Sequence, residues 1–256
     1  MTPGQVIALV AASTGAGVMN AMAGGGTILT YPTLLFIGET AITANATSTV
    51  ALWPGAASSM YGFRQEVAAH REWLKTLFLP SLLGGALGAV LLLKTPTKKF
   101  EHLAPFLILF ATALFMVQGA VARWTRAQPK ENRSPAQWTA AWFYQFGVGI
   151  YGGYFGAGIG ILMLAVLGFL GLSDIHAANG IKNFFAMCIN GIAAAYFIVR
   201  GAVDWPVAAI MVVGAIAGGY AGARFARFIG RDKARAAVVV IGVLVAAILL
   251  IQQSRR

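Results

Sequence analysis

Gly24-Gly25-Gly26, between the apolar runs 5–23 and 27–37, and Gly156-Ala157-Gly158-Ile159-Gly160, where the run 138–155 gives way to 159–171, are the stretches from which the rest of the chain can be read. Glycine has no Cβ, so it takes up positive φ and lets another backbone or a ligand come close. Inside an apolar setting a glycine cluster breaks a helix. The freed backbone groups must then be met by protein, by water in a cavity or by a bound solute. Singly, each cluster reads equally well as a tight turn between packed helices. Its recurrence in the same setting favours a site.

That setting is a membrane. Of the 256 residues, 58% are hydrophobic and 11% charged, with a mean hydropathy of +0.73; soluble domains carry about 25% charged residues. The length suffices for about eight to ten crossings at roughly 20 residues each, and leaves no room for a separate soluble domain. The net charge of +11 comes from basic residues in the loops between apolar runs. Positive-inside orientation and anionic lipid headgroups explain such charge without nucleic acid. Cys188, the single cysteine, lies in an apolar run and reads as a small buried hydrophobe. Ala21-Met22-Ala23 resembles the small-residue end of a cleaved signal peptide, but residues 1–20 contain no Lys or Arg. The first segment is therefore expected to be retained.

Ten apolar segments can be drawn, near 5–23, 27–37, 43–63, 73–93, 100–122, 138–155, 159–171, 177–199, 206–224 and 234–252. The second five echo the first. Gly15-Ala16-Gly17 and Gly24-x-Gly26 fall on Gly147-Val148-Gly149 and Gly156-x-Gly158 at an offset of 132 residues; Asn45 and Thr49 fall on Asn179 and Asn183 at 134. Trp73 matches Trp205 at 132, and Gly84-Gly85-x-x-Gly88 matches Gly218-Gly219-x-x-Gly222 at 134. The spacing predicts an all-α polytopic protein with a first inverted repeat at 1–122, a cytoplasmic linker at 123–137 and a second repeat at 138–256. Five segments per half is odd, so the halves should insert upside down and share a solute site near the bilayer midplane. With the N-terminus outside, twelve basic loop residues lie inside and six outside. The run 27–37 spans only about 16 Å as a helix, roughly half the hydrocarbon thickness. The first two segments of each half are therefore expected to be broken or partial helices. Gly84-x-x-x-Gly88 and Gly218-x-x-x-Gly222 read as faces for close helix packing.

Polar residues within the apolar stretches gather beside the glycine breaks: Asn20, Thr27, Thr30, Tyr31, Asn45, Thr47, Ser48 and Thr49 in the first half, and Tyr151, Tyr154, Asn179, Lys182, Asn183 and Asn190 in the second. Buried asparagines need partners. Asn45 and Asn179, each followed four residues later by Thr49 or Asn183 on the same helical face, point to a lined cavity, although helix capping would explain one asparagine alone. Lys182 could snorkel toward the interface or present its charge to an anion. Helix N-termini and exposed glycine N–H groups favour the same negative ligand. The expected binding set is Gly24, Gly25, Gly26, Asn45, Thr49, Gly156, Gly158, Asn179, Lys182 and Asn183. All eight carboxylates fall in loops or at segment ends, and none lies at mid-membrane, where a proton-coupling carboxylate would be expected. No metal-ligand spacing, nucleophile motif or phosphate loop is present in the sequence, so neither an enzyme nor a cofactor is expected. The expected partners are the lipid bilayer and a small anionic solute; a homo-oligomer is compatible with the sequence.

Gly24-Gly25-Gly26 followed by Pro32, then Ala44-Asn45-Ala46-Thr47-Ser48-Thr49, Gly62 and the second-half counterpart through Lys182 and Asn183 resemble the sulfite exporter TauE/SafE family of membrane transporters, over essentially the whole chain. The resemblance implies secondary transport, as an exporter, of small sulfur-containing or carboxylate anions such as sulfite, sulfonates or thiosulfate across the bacterial inner membrane. A passive anion channel or an importer with the same pore is the alternative.

Overall fold

The computed structural model describes residues 1–22, 24–126, 134–172, 174–225 and 231–254, and every regular element among them is an α-helix. In order these are α1 (Pro3–Met22), α2 (Thr27–Phe36), α3 (Ala41–Gly62), α4 (Arg64–Ala69), α5 (Arg71–Lys94) and α6 (Thr97–Arg126), then α7 (Pro135–Tyr154), α8 (Ile159–Phe169), α9 (Ile175–Val199), α10 (Trp205–Phe225) and α11 (Arg231–Ser254). All ten expected segments are helical. Among the described residues five helices (α1, α5, α6, α9 and α10) are long and apolar enough to cross a membrane. The 10 residues of α2 and 11 of α8 reach only about 15–16 Å.

Local chemistry sets the boundaries. Ser134 caps α7 in a reciprocal box with Gln137, and Pro135 occupies the first turn, where no N–H is needed. The helix therefore starts inside the expected linker, of which residues 127–133 lie outside the described residues. Thr40, Asp174 and Asp204 cap α3, α9 and α10 through Thr43 N, His176 N and Val207 N. One element was not expected: α4 occupies a charged stretch that reads as loop. Its Val67 is buried against Gly180 of α9.

The helices pack reciprocally. α1 lies along α10 and α7 along α5; α3 also packs on α10 and α9 on α5; α8 meets α6 and α2 meets α11; α3 and α9 touch each other, as do α6 and α11. In the numbering of the two halves, each contact is matched by its counterpart. Glycine makes the closest ones. A Cβ on Gly218 would run into the Thr14 carbonyl of α1, and one on Gly88 into the Ile150 carbonyl of α7. The remaining faces carry large apolar side chains outward, as on α5, where Leu79, Leu83, Leu87 and Leu91 form a stripe with a period of four opposite the buried Leu77, Gly84, Gly88 and Leu92. Such a stripe suits lipid.

Gly88→Ala and Gly218→Ala should each lower the thermal stability of the purified protein by about 1–3 kcal/mol, the usual cost of overpacking. Gly147→Ala, at a helical glycine with open space around it, should leave stability unchanged or raise it by up to about 1 kcal/mol. Thermal unfolding in detergent checks all three.

Candidate functional site

The two glycine breaks meet each other. Between α1 and α2 the backbone turns through Gly24 (φ +72°) and Gly25 (φ +143°); between α7 and α8 it turns through Gly156 (φ +82°) and Gly158 (φ +79°). A Cβ on Gly24 would stand 3.0 Å from the backbone of Gly160, and one on Gly25 would stand 3.2 Å from Gly158 N. Both the positive φ and the contact exclude larger residues.

The amides freed by the first break are accounted for. The Asn20 side-chain oxygen accepts from Gly25 N at 2.8 Å and from Gly26 N at 2.7 Å, and Gly24 N donates to the Met19 carbonyl at 3.1 Å. At the second break the Tyr151 hydroxyl donates to the Ala157 carbonyl at 2.6 Å, while Phe155 N and Gly156 N both reach back to the Tyr151 carbonyl. All three glycine amides of the first break are thus spent on protein.

Where the breaks meet, a cavity of about 30 Å³ opens, lined from the breaks by Asn20, Gly24, Gly25, Gly156 and Gly160. The first turns of the half-helices contribute Thr27 of α2 and Ile159 of α8. α3 supplies Thr49, Leu52, Ala56 and Ser59, and α9 supplies Lys182, Asn183, Ala186 and Asn190. Room of this size holds one or two water-sized groups. Lys182 is fully buried. Among the described residues no carboxylate lines the cavity, and the N-terminal ends of α2 and α8 add partial positive charge at the same place. The electrostatics therefore suit a small anion. Asn183 donates from Nδ2 to Ser59 Oγ at 3.2 Å, tying α9 to α3 across the cavity.

Of the residues expected to bind, Gly24, Gly25, Thr49, Gly156, Lys182 and Asn183 line the cavity. The others lie beside it. Gly26 packs on the Ala16 carbonyl and Gly158 on Ala111 and Leu114 of α6. Asn45 donates to the Tyr154 carbonyl at 3.0 Å, bolting α3 to the end of α7, and Thr49 Oγ1 donates back to the Asn45 carbonyl. Asn179 is buried in the first turns of α9. Asn20, Ser59 and Asn190 line the cavity without having been placed in the expected set. Helical spacing carries two of them: Lys182, Ala186 and Asn190 recur at four residues along α9, and Thr49, Leu52, Ala56 and Ser59 recur at three and four along α3. Among the described residues no group of three His, Cys, Asp or Glu side chains could hold a metal ion.

A family model described as sulfite exporter TauE/SafE matches residues 9–249. The chain belongs to that family. Relatives include a "probable membrane transporter protein" of Haemophilus influenzae, 28% identical over 93% of this chain and 91% of the relative. "Probable membrane transporter protein ORF9" of Sinorhizobium sp. is 26% identical over 92% and 88%, and YfcA of Escherichia coli K12, named in the same terms, is 24% identical over 92% and 86%. No solved structure matches. With its spanning helices, this TauE/SafE chain is a multi-pass membrane transporter and not an enzyme.

Asn20→Ala removes the acceptor of two buried amides and should destabilise the protein by about 1–3 kcal/mol. Asn20→Asp, which keeps an acceptor, should lose less; comparison of their unfolding midpoints checks this.

Proposed function

We propose that the chain is a secondary transporter of the bacterial inner membrane that exports small sulfur-containing anions such as sulfite or organosulfonates. Its two halves, 1–122 and 138–256, would be inverted repeats joined by a cytoplasmic linker, with the cavity between them near the bilayer midplane. The reciprocal helix contacts and the meeting of the two breaks support that arrangement.

The observation that carries the reading is the fully buried Lys182 in a cavity walled by two half-helix N-termini and no carboxylate. A buried cation at membrane depth is costly and marks a solute path. Hydroxyls and amides of Thr27, Thr49, Ser59, Asn20, Asn183 and Asn190 surround it; they would serve the oxygens of a compact oxyanion. Gly24, Gly25, Gly156 and Gly158 let the halves close, and Asn45 holds the first turns of α3 against the end of α7. The cavity is only about 30 Å³, which favours a carrier that opens by turns over an open channel. An inside-negative potential of 100 mV drives a dianion outward by about 4.6 kcal/mol, at roughly 2.3 per charge.

The test is sulfite and sulfonate flux in proteoliposomes. Lys182→Gln should cut the saturable flux at least about tenfold, the effect of removing a buried charge partner worth about 1.4 kcal/mol or more, while the variant remains folded. Counterflow should be seen with the native chain. Unchanged flux in Lys182→Gln would remove the proposed anion site.

A further inference from the structure

The hydrogen bonds already made around the cavity decide what its walls can still offer a solute. Thr49, on α3, spends its only hydroxyl hydrogen on the Asn45 carbonyl at 2.9 Å. A carbonyl can only accept, so the direction of that bond is fixed. Toward the cavity, which it lines, Thr49 Oγ1 is therefore an acceptor and nothing else. Asn183, on α9, commits its amide nitrogen to Ser59 Oγ at 3.2 Å, and its side-chain oxygen remains as a second acceptor. The two stand at matching places of the two halves, 134 residues apart.

The donors are as well defined. Lys182 brings the ammonium group, and no other lysine, arginine or histidine lines the cavity among the described residues. Asn20 turns its oxygen to Gly25 N and Gly26 N, which leaves its NH2 group to donate. Ser59 receives the Asn183 bond on its oxygen, so its own hydrogen is left to give. A bare oxyanion has acceptors alone. It would satisfy these three donors but set its lone pairs against those of Thr49 and Asn183. The helix ends add only partial charge, so a second full negative charge would lack a matching cation beside Lys182. Space of about 30 Å³ leaves no room for a carbon chain.

We infer that the cavity selects a compact, singly charged oxyanion that keeps one hydrogen, hydrogensulfite over the sulfite dianion, and that Thr49 is the residue that reads this hydrogen. Lys182, the Asn20 amide and the Ser59 hydroxyl take the unprotonated oxygens, and Thr49 Oγ1 accepts from the O–H. The inference rests on the anion site proposed above and adds the protonation state of its solute. The proton travels with the anion. Its carriage then needs no carboxylate in the wall, and the cavity has none among the described residues. The same membrane potential drives the solute outward, acting on one charge instead of two.

The test is equilibrium binding to the purified chain, with methanesulfinate as the comparison probe. That anion is hydrogensulfite with a methyl group in place of the hydroxyl: the same charge, and no hydrogen to donate. On the acid side of neutrality, where hydrogensulfite predominates, the native chain should bind sulfite at least about tenfold more tightly than methanesulfinate. A site built around a hydrogen bond rejects the analogue that lacks it. On the alkaline side the preference should shrink as the dianion replaces hydrogensulfite. Thr49→Ser, which keeps the hydroxyl, should retain the preference. Thr49→Val, of similar shape without the oxygen, should bring the two affinities together. No preference in the native chain, one that grows above neutrality, or one that survives in Thr49→Val overturns the inference and leaves the anion site standing. Failure of both probes to bind, or binding untouched by Lys182→Gln, removes the anion site itself and the inference with it.

Discussion

Backbone meets backbone at Gly24 and Gly160, and again at Gly25 and Gly158, and the rest of the site follows from that contact. Neither α2 nor α8 is long enough to span a bilayer. Each therefore begins where the preceding helix stops, inside the protein, and its first turn must be sheltered there. Two breaks facing each other shelter both. Larger side chains at the contact would separate the half-helices and admit lipid to polar backbone that only protein or water can satisfy.

The same economy of side chains holds the helices that carry the polar residues. α1 on α10 and α7 on α5 approach through glycines until carbonyls fill the places where methyl groups would be. This leaves α3 and α9 at the centre, crossing where Trp53 Nε1 donates to the Met187 carbonyl at 3.0 Å. A lysine on such a central helix has no route to the interface, so Lys182 stays buried beside the breaks. Burial of the charge and closeness of the packing have one cause.

Much of this was legible from residues. The glycine clusters, the short runs after them and the lone lysine in an apolar stretch mark the breaks, the half-helices and the charged wall, because each violates what a plain membrane helix tolerates. The asparagines were harder to read. Asn45 and Asn179 repeat in register, yet Asn45 serves the Tyr154 carbonyl, because a broken helix leaves carbonyls as well as amides to satisfy. Asn20 stands at the end of α1 with nothing in its neighbourhood to say that its side chain folds forward over two amides. That requires the positive φ angles of the next glycines, which sequence permits but does not dictate. The helix α4 was hidden by its charge: a single buried valine anchors it to α9, and one apolar residue makes no pattern.

Lys182 has Ser48 as its counterpart in the first half, at the offset that pairs Asn45 with Asn179. Ser48 is bound to Thr30 at 2.6 Å between hydroxyls, a neutral contact within its own half. In the proposed arrangement, a carrier made of two identical inverted copies would have inward- and outward-facing forms of equal energy, since turning one over gives the other. A charge present in one copy alone removes that degeneracy. The resting preference of the carrier, and how strongly membrane voltage biases it, would then be written in the few positions where the duplicated halves have diverged.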